Sequence, residues 1–264
     1  MRFPKFLQPV MNYRTLVENI KRKKSFLCVG LDPDPNIHHE SKILDFNKKI
    51  IDLTRDYAVA YKPNIAFYEH LGPKGWDILH ETRKYIGNEF FTISDAKRGD
   101  IGNTSYYYAR TFFQTYDFDA ITINPYMGRD SIGPFLDFKG KWSIILTITS
   151  NSGSKDFQVP ELYKKVLNVA KNWGSKDNMM WVVGATNGEL IREVREIVPE
   201  HFLLVPGIGH QVGSLDDVCK WGLNSNCGLL VNASRSILLS DNPKLEAKKI
   251  QIEMEKWLET FNII

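Results

Sequence analysis

The densest run of chemistry-bearing side chains in the sequence is Asp95-Ala96-Lys97-Arg98-Gly99-Asp100. If Asp95 closes a strand, Asp95 and Lys97 project the same way, because residues two apart on a strand share a face. A carboxylate beside an ammonium fixes the lysine and favours its charged form, which suits a general acid. A plainer reading of the same hexapeptide is a surface salt-bridge cluster ahead of a helix, with Asp100 as the N-cap. The two readings part on whether Lys62 and Asp32 reach the same place. If they do, two carboxylates and two ammonium groups share a small space, and opposite charges ~4 Å apart attract by about 4 kcal/mol at an effective dielectric near ~20.

That convergence depends on the elements carrying these residues. Short apolar runs at 26–31, 58–62, 91–95, 120–124, 143–149, 180–184, 202–206 and 228–232 read as strands. Each is near-continuously hydrophobic, as parallel strands covered on both faces are. Between them lie stretches of helical spacing, with Leu44, Ile50, Ile51 and Leu53 on one face and Leu190, Ile191, Val194 and Ile197 on another. Asn187 is placed to cap the second of these, and Asp241 or Asn242 to cap a helix begun by Pro243. Strand–helix alternation implies a parallel sheet with right-handed crossovers. Eight repeats fit a closed (β/α)8 TIM barrel spanning residues 1–264 as a single catalytic domain. The first 24 residues read as a helical arm that closes the barrel bottom.

In such a barrel the C-terminal strand ends meet at one mouth, where the chemistry sits. Asp32, Lys62, Asp95, Lys97, Thr149, Ser150, Pro206, Ser234 and Arg235 all fall at strand ends. The loops after the last two strands carry Gly207, Gly209, Gln211 and Gly213, then Ser234 and Arg235. Barrels of this kind bind phosphate with those loops. Glycines let backbone N–H groups approach an anion, and an arginine adds a bidentate contact.

The chain has 264 residues, close to the roughly 250 of one such barrel. A hydrophobic fraction of 43%, 25% charged residues and a net charge of +3 describe an ordinary globular protein without a nucleic-acid footprint. The run Lys21-Arg22-Lys23-Lys24 reads as a solvated face. No stretch approaches the ~18 apolar residues of a membrane span, and no secretory leader is legible. Three cysteines without metal-ligand spacing read as reduced thiols, so a cytoplasmic location is expected.

The motifs together resemble the orotidine 5′-phosphate decarboxylase family. The resemblance lies in the segment from Asp95 to Gly102 and in Val29-Gly30-Leu31-Asp32-Pro33-Asp34, Lys62-Pro63-Asn64 and Thr149-Ser150-Asn151. It continues through Gly184-Ala185-Thr186-Asn187, Pro206-Gly207-Ile208-Gly209-His210-Gln211 and Asn232-Ala233-Ser234-Arg235. The Lys62-Pro63-Asn64 and Thr149-Ser150-Asn151 forms are most like the longer branch that includes many bacterial and apicomplexan enzymes. His210 and Val212 stand where the family has small residues.

The resemblance implies a cofactor-free, metal-free decarboxylation of orotidine monophosphate to uridine monophosphate. It implies that Asp95 lies against the substrate carboxylate, that Lys97 protonates C6, and that Lys62 and Asp100 complete an alternating charge chain. Asp100, Ile101 and Thr104 would come from the neighbouring subunit of a homodimer. Asp32 and Asn64 would bind ribose hydroxyls or order the lysines; Thr149 and Ser150 would meet the pyrimidine edge; Pro206 would pack on the ring; Gly209, Gln211, Ser234 and Arg235 would hold the phosphate. The loop containing Gln211 and the segment after Thr149 would serve as lids.

The chemistry is coherent from below. Carbon dioxide loss at C6 leaves a carbanion in the ring plane, beyond reach of the π system, so stabilisation must be electrostatic. Two rivals stand beside this reading. A related-barrel sugar-phosphate decarboxylase or aldolase shares an Asp-x-Lys-x-x-Asp motif but binds a metal through strand-end carboxylates, where this chain has Lys62. A nucleotide sensor would keep the pocket and lose the reaction. Smaller features read as structure: His38-His39 as a solvated loop, Tyr106-Tyr107-Tyr108 as helix packing and a dimer face, the six tryptophans as core and wall, and Cys28 as a small buried hydrophobe.

Overall fold

Runs rich in β-branched and aromatic residues supply eight strands: β1 Leu27–Leu31, β2 Ala58–Pro63, β3 Phe91–Arg98, β4 Ala120–Ile123, β5 Trp142–Ile148, β6 Met179–Val183, β7 Phe202–Pro206 and β8 Leu229–Ala233. They appear in a computed structural model that describes residues 11–184, 188–207 and 214–264. Every strand begins within one residue of its expected start. The strands pair in parallel in chain order, and β8 pairs back onto β1, so the sheet closes. The expected barrel is therefore the observed one.

The helices are α1 Tyr13–Lys23, α2 Ile43–Thr54, α3 Ala66–Glu69, α4 Pro73–Ile86, α5 Gly102–Arg110, α6 Arg129–Leu136, α7 Ser154–Phe157, α8 Tyr163–Ala170, α9 Gly188–Ile197, α10 Leu215–Gly222, α11 Arg235–Leu238 and α12 Pro243–Thr260. On α2 the buried stripe is Ile43, Asn47, Ile50, Ile51 and Thr54, which corrects the expected one by a rotation that leaves Leu44 and Leu53 half-buried at its edge. The polar members are buried because they bond tyrosines on β2 and α3: Thr54 Oγ1 lies 2.9 Å from the Tyr61 hydroxyl, and Asn47 donates to Tyr68 at 3.0 Å. On α9 Ile191 and Val194 are buried, with Leu190 and Ile197 packed beside them. Asn187 lies outside the described residues. Asn242, rather than Asp241, caps α12 by accepting from the Leu245 N–H, with Pro243 in the first turn.

Helix α1 crosses the N-terminal ends of the strands. Tyr13 stacks on Trp142 and meets Phe202 edge-on, and these residues open β5 and β7. Trp142 Nε1 donates to the Met11 carbonyl at 3.1 Å. At the same end Arg195 is half-buried among carbonyls, donating to Gly222, His201 and Gly228 at 2.6–2.9 Å. Desolvation draws its pKa down to about 10, and the carbonyl dipoles take the place of a counter-ion.

The three cysteines are free and buried: Cys28 in β1 near Lys62, Cys219 in α10 and Cys227 just ahead of β8. Burial pushes the Cys28 and Cys227 thiols up to about 12 and raises that of Cys219 as well, so none is a ready nucleophile. Trp142 and Trp181 are fully buried, and the other four tryptophans pack against the core. His38 stacks on Phe46, while His39 accepts from the Ser41 N–H. Among the described residues no helix is long and apolar enough to cross a membrane.

Candidate active site

Strand β3 runs three residues beyond its expected end, and the reason is an irregularity at the chemistry. Its partners on β4 are Ser94 with Ile121 and then Arg98 with Ile123, so four steps on β3 face two on β4. The excess bulges out Asp95, Ala96 and Lys97, and bulges of this kind re-aim side chains beside active sites. Lys97 turns left-handed, with φ of 48°, a region that non-glycine residues rarely occupy. Its backbone N–H, robbed of a ladder partner, donates to Thr122 Oγ1 at 2.9 Å.

The bulge presents Asp95 to two lysines. Lys97 Nζ lies 2.6 Å from Oδ1 and Lys62 Nζ 2.9 Å from Oδ2, while Thr122 Oγ1 donates to Oδ1 at 3.0 Å. The Lys62 and Asp95 side chains are 5% and 11% exposed, whereas Lys97 is 48% exposed and reaches into the open mouth. Burial alone would raise the Asp95 pKa, but attraction to Lys62 and Lys97 and their hydrogen bonds reverse it, holding the carboxyl well below its usual range. Burial alone would likewise lower Lys62, and Asp95 and Asp32 overcome it and raise its pKa above normal. The result is a lysine–carboxylate–lysine row in which the charges of Lys62 and Asp95 are held on by each other.

Asp32, just past β1, accepts from the Asn64 backbone N–H at 3.1 Å and from Ser234 Oγ at 2.7 Å. Gly30 makes the second contact possible, since a Cβ there would stand 2.6 Å from that of Ser234. The Tyr68 hydroxyl donates to the Leu31 carbonyl at 2.9 Å and so holds the end of β1 from behind. Asn64 Oδ1 accepts from the Ala66 N–H, so that side-chain oxygen shapes the β2–α3 turn.

Across the mouth, Thr149 and Ser150 follow β5. A Cβ on Gly184 would sit 2.7 Å from the Thr149 carbonyl carbon and the Ser150 nitrogen, so the end of β6 presses directly on this loop. Gln158 clamps it from the other side: its Oε1 accepts from the Thr149 N–H at 2.7 Å, and its Nε2 lies 3.0 Å from Thr149 Oγ1. Pro206 closes β7, and Arg235 opens α11. Asn232 at the end of β8 is 5% exposed, and its Oδ1 has no hydrogen-bond partner among the described residues. Gly209, Gln211 and Gly213 lie outside the described residues.

Asp95 thus joins Lys62 and Lys97, Asp32 joins the Asn64 backbone and Ser234, and a β-bridge between Asn64 and Asp95 sets these two hydrogen-bonded groups side by side at the strand ends. Among the described residues Asp100 is not joined to either within the chain. Its Oδ1 accepts from the adjacent Ile101 N–H at 2.7 Å, and the N-cap position of α5 belongs to Ile101, which makes no side-chain cap. Ile101 and Thr104 are exposed, as are Tyr106, Tyr107, Tyr126 and Met127 nearby, so Asp100 stands on an apolar outer face. Among the described residues no group of three or more His, Cys, Asp and Glu side chains is arranged to hold a metal ion.

Sequence reasoning missed Thr122, Gln158 and Tyr68. Thr122 left a trace as the polar residue of an apolar strand; Gln158, nine residues beyond the threonine it holds, left none.

A family model described as Orotidine 5'-phosphate decarboxylase / HUMPS family matches residues 25–250. The chain belongs to this family. Among relatives similar to it, the orotidine 5′-phosphate decarboxylase of Phocaeicola vulgatus is 53% identical, over 93% of this chain and 98% of that protein. That of Flavobacterium johnsoniae is 49% identical, over 95% and 99%. The structure of Leishmania donovani OMP decarboxylase superposes with a TM-score of 0.86 at 37% identity, covering 93% of this chain and 97% of that one. The orotidine 5′-phosphate decarboxylase family thus accounts for nearly the whole length, barrel and mouth together.

Proposed function

We propose that residues 1–264 form one catalytic domain that decarboxylates orotidine 5′-monophosphate to uridine 5′-monophosphate and carbon dioxide, the last step in making that nucleotide de novo. The observation that carries this reading is the Lys62–Asp95–Lys97 row, buried at Lys62 and Asp95 and opening to the mouth at Lys97. No electron sink is required of the protein. As the C6–carboxyl bond breaks, its electron pair stays on C6 in the ring plane; the Lys97 ammonium stabilises that charge and then delivers a proton to form C6–H. Lys97 regains its proton from solvent. Because the ammonium is preorganised by Asp95, no reorganisation is needed as charge develops.

The likeness to the family supports the remaining roles. Asp32 and Asn64 meet the ribose or order the lysines, Thr149 and Ser150 meet the pyrimidine edge, and Pro206 the ring face. Ser234 and Arg235, with Gly209 and Gln211, take the phosphate, whose binding energy drives positioning at the remote carbon. The exposed apolar face around Asp100, Ile101 and Thr104 supports a homodimer in which these residues complete the partner's site. The buried free thiols fit a reducing cytoplasm. Lys62 stands where the metal-dependent sugar-phosphate relatives carry a carboxylate, which disfavours that reading.

Decarboxylation is followed as the falling absorbance of the conjugated carboxylate, with a chelator present as a control. Lys97→Ala and Asp100→Ala are each expected to abolish turnover, while mixed, subunit-exchanged preparations regain a fraction of sites that neither homodimer has. Absence of recovery, with exchange shown independently, would refute the shared site, and an inert wild type would refute the activity.

A further inference from the structure

Thr122 is buried in β4, 1% exposed. It ties both ends of the Asp95–Lys97 unit to the neighbouring strand. Its hydroxyl donates to Asp95 Oδ1 at 3.0 Å and accepts from the Lys97 N–H at 2.9 Å. Regular pairing resumes at Arg98, whose carbonyl accepts from the Asn124 N–H at 2.8 Å, an ordinary ladder bond. The irregular stretch is therefore confined to the three residues between Ser94 and Arg98. A side chain does the work of the missing ladder partner at a residue whose backbone is left-handed.

We propose that Thr122 is a positioning residue for the decarboxylation. Its single hydroxyl holds the Lys97 backbone in the conformation that aims the ammonium at the reacting carbon, and it fixes the carboxylate that orients that ammonium. This rests on the functional reading above. The two bonds run in sequence, from N–H to hydroxyl to carboxylate, so each polarises the next. Removing the hydroxyl takes away the side-chain acceptor of a half-buried N–H and frees Lys97 to leave the left-handed region, which moves Nζ while leaving the nucleotide's other contacts in place. Misplacement of a reacting group by about 1 Å costs roughly 10²-fold in rate.

The test is Thr122→Val, which keeps the shape and loses the hydroxyl, set against Thr122→Ser, which keeps it. The Val variant is expected to lose about 10- to 100-fold in kcat with KM within about 3-fold of wild type, and the Ser variant to recover most of the loss; tenfold corresponds to about 1.36 kcal/mol. Amide hydrogen exchange supplies a readout independent of turnover: the Lys97 N–H is expected to lose protection in the Val variant and keep it in the Ser variant. Wild-type kcat in a folded Val variant would overturn the proposal, as would a loss confined to KM. Should the Val variant not fold, Thr122→Ala against Thr122→Ser carries the same contrast, and equal kcat in those two overturns it. A wild type inert toward orotidine monophosphate would defeat the functional reading, and the exchange contrast would still decide whether Thr122 holds Lys97.

Discussion

Asp95→Asn removes a charge and keeps the shape, and each of the two lysines then loses something different. Lys62 is 5% exposed and bonds Asp95 at 2.9 Å, so its ammonium is left in the barrel with the less direct attraction of Asp32. Breaking a buried pair by removing one partner costs about 3–5 kcal/mol. Lys97 is 48% exposed, and water replaces much of what it loses, so its pair adds only about 0–1 kcal/mol. The Lys62 pair therefore sets the stability loss. At roughly 2–4 °C per kcal/mol for a chain of this size, the melting midpoint is expected to fall by about 6–20 °C at pH 7. The pH dependence is sharper still. In the wild type the depressed Asp95 pKa contributes stability above the unfolded value near ~3.9, lost as pH falls through the folded one. The raised Lys62 pKa contributes stability below ~10.4, lost as pH rises through its folded value. In the Asn variant burial becomes the main influence on Lys62 and disfavours its ammonium, so stability is expected to rise as pH approaches ~10. Thermal unfolding followed by circular dichroism across pH reads both effects. An unchanged midpoint at pH 7 with the wild-type pH profile would refute the reasoning. Unchanged turnover in the same variant would remove any role for Asp95 in straining the substrate carboxylate.

Two further substitutions test the frame around the site. Gly75→Ala puts a Cβ 1.8 Å from the Tyr68 carbonyl oxygen, so a backbone must move; a loss of at least about 2 kcal/mol is expected in denaturant unfolding, and a neutral outcome would show that α4 slides freely. Gln158→Leu strips Thr149 of its amide clamp and is expected to raise KM for orotidine monophosphate roughly 10-fold in steady-state kinetics, about 1.4 kcal/mol, with no change in KM refuting the clamp.

The strands were legible because a parallel barrel buries both faces of each, so runs such as 202–206 carry no polar alternation to confuse with a half-exposed sheet. Asp32, Lys62 and Asp95 were legible for the converse reason: charges closing an apolar run stand out. Helix α2 was misread because its buried stripe includes Asn47 and Thr54, and only the tyrosines they bond make those positions interior. The bulge in β3 was not legible, since nothing in Asp95-Ala96-Lys97 demands a left-handed lysine; the demand comes from β4 across the sheet. Gln158 was hidden by distance along the chain, because a tie across a loop has no period.

The three sealed thiols give this barrel a set of internal gauges. Cys28, Cys219 and Cys227 sit in β1, in α10 and at the entrance to β8, each shut away from solvent. A thiol-directed label can reach one only after the wall over it has parted, so labelling rates at the three positions report separately on breathing beneath the chemistry, along the outer helices and near the barrel's lower rim. A nucleotide that fills the mouth slows the first gauge, and any slowing of the other two measures how far that grip is felt through the wall.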